Sequence, residues 1–189
     1  VEITSTKGFD AAPENVAASR RKLIRQTLDD SGLKLTSIME HTSPDSNQTV
    51  NDANLERIQR AVGLIRHITD AKDVVIQTVL GGGVWEQKRN LFVEQVGRWV
   101  EKTADSDVTI CIKPHRGGGM DNPEKALWIM KQLGDPSRLR MVYDYSHYIY
   151  TGLELVPTVE QAAKKTAHIA VKDTVRTSDG KFRFELPGS

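Results

Sequence analysis

Short apolar runs alternate along the whole chain with longer segments whose apolar residues recur every three or four positions. The runs at residues 1–4, 33–40, 74–80, 108–114, 139–146 and 167–174 are the length of strands and rich in β-branched side chains. The segments between them read as helices. Residues 13–31 end at Gly32, where a helix uses a left-handed residue to stop. Leu55, Ile58, Val62, Ile65 and Ile68 form a single apolar stripe on the next helix. A third, over 85–102, buries Phe92, Val96, Trp99 and Val100, and Trp99 and Trp128 read as core between helices and strands. Further on, Asn122-Pro123-Glu124 supplies an N-cap, a first-turn proline and an acid facing the positive helix end; Gly134 closes that helix. Thr158-Val-Glu-Gln161 matches a capping box and predicts a helix from there to about Lys165. Ser178-Asp-Gly-Lys181 reads as a tight hairpin turn in which Asp179 and Gly180 supply positive φ.

Strands followed by helices, repeating every 30 to 40 residues or so, predict parallel βα units. No strand leads into Gly-x-Gly-x-x-Gly or Gly-Lys-Ser/Thr, which excludes dinucleotide and P-loop binding by those fingerprints. A closed (β/α)8 barrel needs eight strands. With about six, the chain reads as a single α/β domain over 1–189, a TIM-type barrel truncated at both ends, with exposed sheet edges.

Composition narrows the functional classes. Of 189 residues 38% are hydrophobic and 27% charged, with net charge +1, so there is no basic footprint for nucleic acid. No apolar run reaches the roughly 20 residues that span a bilayer, and no leader is visible; the expectation is a cytoplasmic protein without a membrane partner, with homo-oligomerisation left open. Cys111 is alone inside an apolar run, which reads as a buried, inert thiol.

The candidate chemistry lies where strands give way to loops, the usual place for sites in parallel α/β folds. Met141-Val-Tyr-Asp-Tyr-Ser-His147 ends in Asp-x-x-His, and Ile110-Cys-Ile-Lys-Pro-His115 and His168-Ile-Ala-Val-Lys-Asp173 also close on charged residues. Lys113 beside Asp144 puts a fixed positive charge where a bound cation would sit, either as a structural ion pair or as a lysine used directly as base, electrophile or Schiff-base amine. His147 reads either as a substrate contact or as a hydrogen-bonded strand-end histidine. Glu40 and His41 point into the mouth or lie in a solvated loop. His115 and Arg116 hold a hydroxyl or phosphate, or belong to a flexible loop with Gly117, Gly118 and Gly119. The Gly81-Gly82-Gly83 run permits close backbone approach to a ligand or forms a mobile loop. Lys172 with Asp173 is a substrate contact or a local pair, Trp85 caps a pocket, and His67 and His168 read as ordinary fold residues.

Val1-Glu-Ile-Thr4, Ile112-Lys-Pro114, Tyr143-Asp-Tyr-Ser-His147, His168-Ile-Ala-Val-Lys-Asp173 and Phe184-Glu-Leu-Pro-Gly188 together resemble the xylose isomerase-like TIM barrels. That superfamily holds sugar and sugar-phosphate isomerases and epimerases, the tagatose 3-epimerase group among them, and the endonuclease IV-like enzymes. The resemblance implies barrel strands two to seven and a small-molecule sugar or polyol substrate. Taken with the strand-end candidates, it gives Lys113, Asp144 and His147 as the expected catalytic residues, with Glu40, His41, His115, Arg116 and Lys172 as expected substrate contacts. The family's epimerases hold a divalent metal with a Glu on strand five, an Asp on strand six, a His on strand seven and a Glu on strand eight. The first three fall here on Lys113, Asp144 and Ala170, so among those three positions Asp144 alone is retained as a metal ligand. No cofactor is expected at that site, and Mn²⁺ or Mg²⁺ only if binding is unusual. The alternatives are a non-catalytic carbohydrate-binding or structural barrel and, third, an endonuclease IV-like phosphodiesterase, whose multi-metal cluster the five histidines do not match.

Overall fold

The computed structural model describes residues 1–188. Six strands, β1 (Glu2–Thr4), β2 (Ser37–Met39), β3 (Val75–Thr78), β4 (Thr109–Ile112), β5 (Leu139–Tyr143) and β6 (Thr166–Ile169), pair in chain order. Every pairing is parallel. Helices α1 (Ala18–Ser31), α2 (Gln48–Ile68), α3 (Trp85–Lys102) and α4 (Pro123–Gln132) make the crossovers, giving a curled, incomplete TIM-type barrel. Between β5 and β6 lie the single-turn α5 (Tyr145–Tyr148) and α6 (Leu155–Ala162). A separate antiparallel hairpin, β7 (Asp173–Arg176) and β8 (Phe182–Glu185), follows. Among the described residues no helix is long and apolar enough to cross a membrane.

Side chains alternate between the two faces of the sheet, and the alternation separates two cores. Ile38, Ile76, Ile110, Ile112 and Met141 point outward and pack with Ile58, Ile65, Phe92, Trp99 and Ile129 of the helices in one large cluster. Val75, Cys111 and Val142, with Ala170 against them, form a small apolar layer inside the barrel. Trp99 is fully buried. Trp128 is half-buried and stands edge-on to Trp85 at 5.4 Å, so Trp85 joins the helix layer instead of capping a pocket. Burial pushes the Cys111 thiol up to about 12, in keeping with an inert role.

Caps and turns follow their chemistry, with four departures from expectation. Asn47 and Asn122 accept the backbone N–H groups of Thr49 (2.9 Å) and Lys125 (3.0 Å), starting α2 and α4, and Gly32, at φ 64°, ends α1. The segment expected as one helix over 13–31 is broken: Pro13–Asn15 is a single 3-10 turn, and α1 starts only at Ala18. The Thr158 capping box does not form. α6 begins at Leu155, with Pro157 in the first turn where its missing N–H costs nothing, and the Thr158 hydroxyl is engaged with Glu154 O (2.9 Å) and Tyr143 Oη (2.8 Å). The apolar run 167–174 is divided. Ala170 N still donates to Tyr143 O (3.0 Å), but β5 then turns into α5 and offers no more partners, so the chain leaves the barrel and pairs within its own hairpin. In that hairpin Gly180 has positive φ (80°) and Asp179 does not, and the loop closes through Thr177 N to Lys181 O at 2.8 Å.

Candidate active site

Two residues beyond the inner apolar layer, on the same face of their chain segments, stand Lys113, Asp144 and Lys172, beyond Cys111, Val142 and Ala170 respectively. They converge on one atom. Asp144 Oδ2 lies 2.8 Å from Lys113 Nζ, 3.2 Å from Lys172 Nζ and 3.3 Å from His147 Nε2. Ser146 Oγ donates to Asp144 Oδ1 at 2.5 Å. The Asp144 side chain is 0% exposed, against 11% for Lys113 and 29% for Lys172. The local sequence accounts for this. Asp144 stands at the N-cap of α5, and an i, i+3 step on that turn brings the His147 ring back over it. His115 follows the Pro114 corner after β4, and its ring stacks at 4.0 Å on that of His147.

Electrostatics follow from burial and the two ammonium groups. Burial works to raise the Asp144 pKa, but contact with His147, the charge and contact of Lys113, and the Ser146 hydroxyl together hold it well below the usual carboxylate range. For His147 burial comes first and lowers the pKa; Asp144 works against this, and the two lysines add to the lowering. His115 is brought down to about 4 by burial and then by neighbouring His147. His41 is also lowered, by burial and then by the charge of Lys113. The imidazoles are therefore neutral at pH 7. Among the described residues His41 Nδ1 and His147 Nδ1 are buried without a hydrogen-bond partner, as are Trp99 Nε1 and Tyr148 Oη away from the mouth.

The hairpin forms one wall of the mouth. Phe184 stands 5.7 Å from the His147 ring and 4.4 Å from Lys172 Nζ. Arg116 lies 4.0 Å above the Tyr150 ring and 5.0 Å from that of Phe184. Tyr150 Oη donates to Phe182 O (3.1 Å), tying the hairpin to the turn after α5. The two glycine runs interlock as structure. Gly119 N donates to Gly81 O (2.9 Å), and a side chain on Gly118 would meet His115 O at 2.9 Å.

Lys113, Asp144, His147, Lys172 and His115 are thus brought together, with His41 and Arg116 at the edge. Glu40 stands elsewhere. Its carboxylate accepts from Ser5 Oγ at 3.0 Å and pairs with Arg57 of α2, in the layer between sheet and helix. Tyr150 lies in no motif, and Ser146 and Phe184, although within segments that carry the family resemblance, have no site role assigned by the sequence. His168, expected as an ordinary fold residue, instead points into the barrel 3.5 Å from Glu2 Oε2, which also accepts from Ser37 Oγ (2.7 Å) and Gln77 Nε2. Its spacing of two from Ala170 was the available signal.

The donor set does not fit a divalent cation at Asp144. Two ammonium groups already lie within 3.2 Å of the oxygen a metal would use. Among the described residues no three His, Cys, Asp or Glu side chains are grouped to hold one ion.

A family model described as a xylose isomerase-like TIM barrel matches residues 1–189. Among solved structures, the IOLI protein with a bound zinc atom is similar at TM-score 0.79 and 15% identity, over 99% of this chain and 68% of that one. D-psicose 3-epimerase, crystallised in the presence of D-fructose, is similar at 0.77 and 12%, over 95% and 65%. 3-Keto-D-glucoside 4-epimerase from E. coli is similar at 0.72 and 10%, over 87% and 69%. At such identities the likeness is one of fold. No curated protein gives a significant sequence match.

Proposed function

Because the chain belongs to the xylose isomerase-like TIM barrels, we propose that it is a sugar or polyol isomerase or epimerase in which Lys113 and Lys172 supply the positive charge that relatives take from a metal. The observation that carries this reading is the meeting of both ammonium groups and the His147 imidazole at Asp144 Oδ2. In this mechanism a ketose carbonyl oxygen sits against Lys113 and Lys172. The neutral His147 imidazole removes the proton from the adjacent carbon, and the electron pair moves onto the carbonyl oxygen as an enediolate held by the two cations. The imidazolium returns the proton on the same face to the neighbouring, former carbonyl carbon while the adjacent hydroxyl proton passes to the former carbonyl oxygen, which gives isomerisation; epimerisation needs in addition a second proton donor on the opposite face of the carbon. Asp144 keeps both lysines in place and stabilises the imidazolium through Nε2. Two of the fold relatives are named as epimerases of D-psicose and a 3-keto-D-glucoside, which supports the substrate class.

The test is solvent deuterium exchange followed by proton NMR, with a panel of ketoses in D2O containing EDTA. Exchange at the carbon next to the carbonyl is expected to persist in EDTA and to vanish in Lys113→Met and His147→Asn. Exchange that appears only after Mn²⁺ or Mg²⁺ is added overturns the metal-independent mechanism. The charge balance at Asp144 also favours a second reading, a carbohydrate-binding barrel whose ion pair is structural. That reading predicts ligand binding without exchange.

A further inference from the structure

Arg25, Arg57, Arg60, Arg98, Arg138 and Arg183 each have a carboxylate within ion-pair distance. Arg116 differs. Its guanidinium lies over Tyr150 and Phe184, and among the described residues it meets no carboxylate. Stacking uses the face of the guanidinium and leaves the N–H fork at its edge free, the geometry that receives a carboxylate or phosphate in two parallel hydrogen bonds.

The surroundings are rigid and positive. His115 N donates to Met120 O (3.0 Å) and Gly118 N to His115 O (2.8 Å), so the loop bearing Arg116 is closed on itself. Gly119 would bring a Cβ to 3.2 Å from Gly83 O, so the neighbouring loop backs it tightly. Phe184 contacts Lys172 as well as Arg116, so a ligand of sugar size spans the two cations. Lys113, Lys172 and Arg116 face the mouth against the single carboxylate of Asp144. Glu2 lies deeper in the barrel, where Ser37, Gln77 and His168 occupy its carboxylate.

We propose that the substrate carries an anionic group, a carboxylate or a phosphate, which Arg116 holds at the rim against Tyr150 and Phe184 while the hydroxylated end reaches Lys113 and Lys172. The inference rests on the isomerase reading only for the reacting end, and binding tests it independently. Isothermal titration compares D-glucuronate, D-fructose 6-phosphate and D-fructose, with inorganic phosphate as the bare anion. At least one of the two anionic sugars is expected to bind tenfold or more tighter than D-fructose at low salt, with most of that preference lost at 0.5 M NaCl. Which of the two binds identifies the group as carboxylate or phosphate, and inorganic phosphate competes in the second case only. Arg116→Gln is expected to abolish the preference and leave D-fructose affinity within twofold; Arg116→Lys retains part of it. Arg116 is exposed, so both variants fold, which thermal melts verify.

Equal affinity for D-fructose and both anionic sugars overturns the proposal, as does an Arg116→Gln variant that weakens neutral and anionic ligands alike. Tight anion binding without deuterium exchange removes the isomerase reading and leaves the anion site standing. Exchange on neutral ketoses, with no anionic preference and no effect of Arg116→Gln, does the reverse.

Discussion

Replacing Lys113 with methionine removes one of two cations from a carboxylate that has no access to water. At 2.8 Å, and with the effective dielectric of about 20 that suits such sites, the gross attraction between the two charges is roughly 6 kcal/mol. Most of that offsets the cost of desolvating both groups, and breaking a buried pair from one side typically costs about 3 to 5 kcal/mol. Lys172 at 3.2 Å and the Ser146 hydroxyl remain to support Asp144, which argues for the lower end, about 3 kcal/mol. For a chain of this length that corresponds to a fall in Tm of about 6 to 12 °C. Asp144→Leu strands Lys113 and costs a similar amount. The double variant leaves only Lys172, whose partly exposed side chain turns to solvent, so the combined loss falls short of the sum by about 2 kcal/mol. Urea unfolding of the four proteins at pH 7 measures this coupling, and 0.5 M NaCl is expected to leave most of it intact because the pair is buried. A coupling under about 0.5 kcal/mol would falsify the account of Asp144 as a carboxylate held by Lys113.

Three further outcomes follow from other parts of the molecule. The Asp144 pKa is depressed in the folded state, so its contribution to stability is complete above the ordinary carboxylate range and is lost as pH falls below about 4; Asp144→Asn is expected to flatten that acid limb in urea titrations, and an unchanged limb contradicts it. Glu40 is shifted the other way, to about 7, by burial, which Arg57 and Ser5 only partly oppose. A carboxyl whose folded pKa is raised stabilises most below its unfolded pKa and loses ground as pH rises toward 7, so Glu40→Gln should gain about 2 to 3 kcal/mol on wild type between pH 4.5 and 8; a pH-independent difference refutes this. Gly118→Ala drives a Cβ to 2.9 Å from His115 O, and about 1 to 3 kcal/mol of destabilisation is expected, with the His115 ring displaced from His147 in NMR ring-current shifts; unchanged shifts count against the tight loop.

Much of the site was legible because a strand's period of two carries a face forward without knowledge of the partners. Ala170 inside the barrel implies Lys172 inside, and Lys113 and Asp144 stand likewise beyond Cys111 and Val142. The same rule places Glu40 outward, two residues beyond the outward-facing Ile38. Met39 is the last residue of β2, and one step further the side chain turns outward to Ser5 and Arg57. The turn of the hairpin over the mouth was legible at residues 178–181, but its first strand was not, since residues 167–174 look continuous until β5 runs out of partners at Tyr143. Thr158 shows the same limit at the level of one hydroxyl. Local pattern assigns it to a cap, and a tertiary partner, Tyr143, takes it. The contacts of Phe184 and Tyr150 at the mouth could not be read from the sequence because they are made with Arg116, which reaches them only after folding.

The Glu2 and His168 side chains meet across the barrel from its two edge strands, β1 and β6. All backbone pairing in the sheet joins neighbours, each strand to the next, through crossovers of 22 to 35 residues. Such a topology places loop-closure entropy ahead of every strand contact, so folding is slow and proceeds from helices that form locally toward a sheet that closes last. A link spanning 166 positions, as that between residues 2 and 168 does, forms only when all six strands are curved into place. It therefore belongs to the late, native side of the folding barrier, where side-chain substitutions change the rate of unfolding and leave the rate of folding almost untouched.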